Sequence, residues 1–136
     1  MAERSRYAVA IEDLHDFFVE WYAGEAGPAD FERMEHSMAP TFEMVAPDGT
    51  RHDRDAVLRM VRESFDRDDP DEFDIEIRDV EVVREMGTHA TVRYEEWQTR
   101  DGTETGRIST ALFREDEAAP CGLAWLDLHE TWIDEG

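Results

Sequence analysis

The chain has 136 residues, 40% of them apolar with 4 Trp, 7 Phe and 6 Met, which is enough for one core without disulfide or metal staples; a single domain over 1–136 is expected. Its 35 acidic residues against 14 basic ones, a formal net charge of -21, disfavour nucleic acids and anionic membranes, because both are held through Lys and Arg that neutralise phosphate. One cysteine, Cys121, allows no internal disulfide and no thiolate metal cluster, and the opening MAERSRYAVA lacks the apolar run of a signal peptide, so the protein is expected in the cytoplasm.

Tyr7, Ala10, Ile11, Leu14, Phe17, Phe18, Trp21 and Tyr22 keep helical spacing with acids on the opposite side, predicting an amphipathic first helix that Gly24 can cap. Gly27-Pro28 opens a short second helix with the stripe Phe31, Met34 and Met38, and Pro40 ends the helical run. Residues 41–45 read as a strand, turned by Pro47-Asp48-Gly49 into a second short strand at 50–52. Asp53 or Asp55 caps a third helix that buries Val57, Met60, Val61 and Phe65 and stops before Asp68-Asp69-Pro70. The acidic run 66–74 lacks the turn glycine of a calcium loop and is expected as a solvated loop.

From residue 72 the pattern changes to strands at 73–83, 90–99, 106–114 and 123–132, and sequential antiparallel pairing is the simplest arrangement. Phe73, Ile75 and Ile77 share one face while Val80 and Val82 take the other, which predicts a bulge near Arg78-Asp79.

Every basic residue is arginine and lysine is absent. An acidic surface alone does not exclude lysine, and this composition resembles that of proteins from extreme halophiles, whose hydrated acidic surface suits concentrated salt.

Three helices, a small hairpin between the second and third, and a long antiparallel meander resemble the nuclear transport factor 2-like superfamily, which includes ketosteroid isomerases and SnoaL-like cyclases. The residues that carry the resemblance are 17–24 (FFVEWYAG), Pro40-Thr41-Phe42-Glu43, the Asp48-Gly49 turn, 51–57 (RHDRDAV), 106–114 and 125–132. It implies an α+β fold: three N-terminal helices packed in a strongly curved, mixed or antiparallel sheet forming a cone-shaped barrel. It further implies an apolar pocket at one end, a homodimer through the sheet, and a small apolar or aromatic ligand. Phe17, Trp21, Met44, Trp97 and Trp125 are the expected pocket walls, with Tyr94 at the rim; the same stripes also suit plain core packing. The isomerase base position falls on Met44 and its tyrosine position on Phe17, neither of which can serve those roles, so that mechanism is not expected.

The last strand, WLDLHETW, carries apolar and polar residues on both faces. Trp125, Asp127, His129 and Thr131 are assigned to the pocket and Leu126, Leu128, Glu130 and Trp132 to an interface, which makes His129 with Asp127 the expected acid/base pair. No metal is expected, since His15-Asp16, His52-Asp53 and Asp127-His129 form no converging ligand set. No cofactor is expected either, because no phosphate loop, nucleophile elbow or dinucleotide glycine motif is present. Two functions fit: a cofactor-independent isomerase- or cyclase-type enzyme, or a ligand-binding or dimerisation module.

Overall fold

The computed structural model describes residues 5–69 and 71–133. Pro70, expected to interrupt the acidic loop, and the two ends of the expected domain lie outside them. Helix α1 (Arg6–Tyr22) starts where Ser5 Oγ accepts from the Ala8 amide, and α2 (Pro28–Ser37) begins at a proline that needs no amide partner. Strand β1 (Met38–Val45) and the three-residue β2 (Arg51–Asp53) form the small hairpin. Asp53, not Asp55, caps α3 (Arg54–Glu63) by accepting from the Ala56 amide at 2.8 Å. Strands β3 (Phe73–Met86), β4 (His89–Arg100), β5 (Thr103–Glu115) and β6 (Leu123–Trp132) form the meander.

The strands make one open sheet in the order β2-β1-β6-β5-β4-β3, antiparallel except where β1 runs parallel to β6. This is the mixed, curved sheet of the expected α+β fold, with the helices against its concave face. Curvature comes from places where two residues oppose one. The predicted bulge lies on β3, where the register slips between Arg78 and Glu81 and Asp79 takes a left-handed φ of 55°. A further slip follows on β3 between Val82 and Arg84, and an unpredicted bulge lies on β6 at Leu126, since Phe113 pairs with Trp125 while Leu112 pairs with Asp127.

The core is continuous from Ile11 and Leu14 of α1 to Phe42, Val92, Tyr94, Phe113 and Trp125 of the sheet. Trp21 ties α1 to α3 by donating its indole N–H to the Val61 carbonyl at 2.7 Å, and its ring packs on Phe17, Phe31 and Phe65. The third helix departs from expectation. It buries Val57, Leu58 and Val61, whereas Met60 and Phe65 are 40% and 45% exposed; Met60 lies instead beside a cavity.

The acidic loop is also more than a solvated connection. The amides of Asp66 and Asp68 donate to the Trp21 and Tyr22 carbonyls, closing the end of α1. Gly24 is needed there twice over: its φ is 76°, and a Cβ would come within 2.5 Å of the Asp66 carboxylate.

Candidate functional site

Two of the cavities beside α1 share Leu14 and Trp125 in their walls. The larger, about 240 Å³, is a groove between α1, α2 and the turn before β6; Phe17 and Met34 line it, and Asp13, Asp16, Glu20, Asp30 and Arg33 stand at its rim. Those rim groups are exposed, and the Arg33–Asp13 pair at 3.0 Å is a surface ion pair. The smaller cavity, about 140 Å³, lies between α1, α3 and the concave sheet. Its walls include Phe18, Tyr22, Phe42, Met44, Leu128 and Trp125, and into them are set His15, Glu96, Gln98, Arg107 and Glu130.

His15, Glu96 and Glu130 are no more than 5% exposed, and the Arg107 side chain is 16% exposed. Burying four ionisable groups together is costly unless they satisfy one another. His15 sits one turn after Ile11, whose carbonyl lies 2.7 Å from Nδ1; a carbonyl only accepts, so Nδ1 carries a proton. Nε2 then faces Glu96 Oε1 at 3.0 Å, and that contact needs a further proton on one of the two groups. Gln98 donates to the other Glu96 oxygen at 2.6 Å. On the neighbouring strands Arg107 and Ser109 both donate to Glu130 at 3.3 Å.

Burial works against the charged forms, but the His15–Glu96 attraction overrides it. The imidazole is raised above its ordinary value, while the Glu96 carboxyl, beside His15, Arg107 and Gln98, is held down at about 2. The pair is therefore imidazolium and carboxylate. Glu130 goes the other way, raised by burial and by the Glu96 charge. One carboxyl is thus pushed down and the other up, the kind of separation that acid/base chemistry uses.

The expected site residues are distributed differently from the sequence reading. Met44 and Trp125 do line the smaller cavity, and Phe17 lines the larger groove. Trp21 fills the space between the helices. Tyr94 is fully buried rather than at a rim, facing the core opposite Ser109 across β4 and β5. Trp97 is on the convex face, its ring lying over Gly106, where a Cβ would come within 2.7 Å of it. The Leu126 bulge accounts for the last strand. It consumes one residue after Trp125, so Leu128, Glu130 and Trp132 join Trp125 on the concave side, while Asp127, His129 and Thr131 turn outward and are exposed. The expected His129–Asp127 pair is thus outside both cavities.

His15, Glu96, Arg107 and Glu130 were missed as a group. The signal for Glu96 was present in strand parity: Ala90, Val92, Tyr94 and Glu96 alternate on one face, so an inward face that begins apolar ends in an acid. Among the described residues no cluster of three or more His, Cys, Asp or Glu has metal-holding geometry. No helix there is long and apolar enough to cross a membrane.

Comparison with known proteins agrees with this architecture. The sucrose-6-phosphate phosphohydrolase C-terminal family matches residues 13–134, and no curated protein matches the chain. Among solved structures, an NTF-2-like protein of unknown function from Pseudomonas aeruginosa is 25% identical over 96% of this chain and 100% of its own, with a TM-score of 0.86. A CaMKII hub from S. rosetta is similar in fold, 15% identical over 98% of this chain and 99% of its own, with a TM-score of 0.65. So is a putative ketosteroid isomerase from Parabacteroides distasonis, 9% identical over 94% of this chain and 88% of its own, TM-score 0.64. The chain belongs to the sucrose-6-phosphate phosphohydrolase C-terminal family, within the nuclear transport factor 2-like superfamily.

Proposed function

We propose that this chain is a single small-molecule-binding domain whose ligand, compact and largely apolar or aromatic, occupies the cavity between α1, α3 and the sheet. The observation that carries this reading is the convergence of the buried His15, Glu96 and Glu130 and the partly buried Arg107 on one otherwise apolar cavity. A cavity of about 140 Å³ suits a ligand of one ring, since an apolar cavity of roughly 150 Å³ admits benzene. With Glu130 as the exchangeable acid and Glu96 fixed by His15, the site is equipped for cofactor-independent proton transfer of the isomerase or cyclase kind. His129 and Asp127 have no part in that chemistry.

A thermal-shift screen of one-ring aromatic and alicyclic compounds, run in high salt, tests the reading when the native chain is compared with Met44→Trp, which fills the cavity from β1. Compounds that stabilise the native protein by a few degrees are expected to lose their effect in the variant. Equal shifts in both proteins, or no shift with any compound, would exclude the cavity as the binding site.

A second reading has its own observation. The convex face exposes Ile108 (41%) and carries the partly exposed Leu112 and Trp97, and an apolar stripe of this kind suits a homodimer joined through the sheet. Asp127 and His129 then belong to that contact. Ile108→Asp is expected to convert a dimer into monomers in sedimentation velocity; a native chain that sediments as a monomer at all concentrations removes this reading. We also propose that the lysine-free acidic surface adapts the domain to a cytoplasm of concentrated salt.

A further inference from the structure

Most of the polar wall of the smaller cavity is closed on itself. His15 spends Nδ1 on the Ile11 carbonyl and Nε2 on Glu96 Oε1, and Glu130 receives Arg107 at one oxygen and Ser109 at the other. Gln98, which also lines the cavity, differs. Its amide lies 2.6 Å from Glu96 Oε2, and that oxygen only accepts, because the proton held between His15 and Glu96 lies at Nε2 or at Oε1. The contact is therefore made by the Gln98 NH2 group, which fixes the orientation of the amide. Its carbonyl oxygen turns away from Glu96 and takes no hydrogen bond from the described residues.

Gln98 stands where the cavity opens. Along β4 the concave face runs from Ala90, Val92, Tyr94 and Glu96, all buried, to the partly exposed Gln98, which pairs with the lining residue Ile75 of β3. We infer that the ligand is an uncharged ring compound that donates one hydrogen bond, from a hydroxyl or an amide N–H, to the Gln98 carbonyl oxygen, its apolar remainder lying against Phe42, Met44 and Leu128. This rests on the reading of the cavity as a ligand site.

The charges of the wall favour a neutral ligand. The proton shared by His15 and Glu96 leaves that pair without net charge whichever of the two holds it. Arg107 is matched by Glu130, whose two oxygens both receive donors as those of a carboxylate do, and its guanidinium lies 4.7 Å over the Trp132 ring. A carboxylate or ammonium on the ligand would add a charge with no counter-charge left to meet it, where an unmatched ion is costly. A hydroxyl adds none. It needs an acceptor, which Gln98 supplies, whereas an ether leaves that oxygen unused.

Isothermal titration of the full chain tests this in high salt, where the surface charge of -21 is screened. The probes are benzyl alcohol, its isomer anisole, which has no donor, benzylammonium and benzoate. Benzyl alcohol is expected to bind several-fold more tightly than anisole and at least about tenfold more tightly than either ion. Gln98→Leu, or Gln98→Met should the first fail to fold, should bring benzyl alcohol down to the affinity of anisole while anisole binds as before. Anisole or either ion binding as tightly as benzyl alcohol, or a preference for the alcohol that survives the loss of Gln98, overturns the inference and leaves the cavity a ligand site. If none of the probes binds, both readings fall.

Discussion

Glu96→Leu is expected to cost about 3–5 kcal/mol of folding stability, the loss typical when one partner of a buried ion pair is removed. The change strands His15 Nε2 and removes the acceptor of Gln98. The double variant His15→Leu/Glu96→Leu should recover most of that loss, because with two packed leucines neither member of the pair is left buried without its partner. Urea denaturation of the native chain, the two single variants Glu96→Leu and His15→Leu, and the double variant in high salt checks this. A single-variant cost below about 1 kcal/mol would show that the pair is not closed in solution, and a double variant worse than the sum of the singles would show that the pair is structurally required. The pH dependence has a defined sign. Glu96, held at about 2 against a usual 4.5, contributes stability present above the usual value and lost as pH falls through the folded one. His15, raised above 6.5, contributes stability present below that value and lost as pH rises through its folded one. The difference in stability between native chain and double variant should therefore peak between about pH 4.5 and 6.5 and narrow on both sides.

Much of the fold could be read from residues because local signals agreed with one another. The α1 stripe, Pro28 at the start of α2, the Asp53 cap and the hairpin turn each name one structure, and their order names the superfamily. The site was less legible, and the reason is parity. A strand's two faces are assigned by counting in twos, and one bulge residue reverses every later assignment. At Arg78-Asp79 the apolar residues switch faces visibly, so the bulge could be read. At Leu126 they do not: Trp125, Leu126, Leu128 and Trp132 put apolar residues on both faces in either phase, so only pairing with β5 shows that His129 is outside and Glu130 inside. His15 was hidden differently. In so acidic a chain a histidine next to an aspartate draws attention to that neighbour, whereas its partner is 81 residues away on β4.

Melting followed against KCl is expected to show the largest change of any measurement, a rise of more than about 20 °C between 10 mM and 2 M salt. The chain carries a formal charge of -21 on 136 residues. Spread over a sphere of the size such a chain folds into, that charge has an unscreened self-repulsion in water on the order of 50 kcal/mol, of which the expanded unfolded chain keeps roughly half. Even after partial screening in dilute salt, the difference rivals the about 5–15 kcal/mol that stabilises a typical domain. At 10 mM the screening length is about 30 Å, comparable with the whole molecule; at 1 M it is about 3 Å, shorter than the spacing of most surface charges. Repulsion among the 35 carboxylates is then confined to nearest neighbours. The surface pairs Arg6–Glu115, Arg33–Asp13 and Arg100–Asp68 weaken as well, but such pairs are worth little. The buried His15–Glu96 pair is screened least, so its variants should lose the same stability at both ends of the titration. A native chain melting at one temperature in dilute and concentrated KCl would mean that its charges are already neutralised in the folded state, and the adaptation to salt would have to be given up.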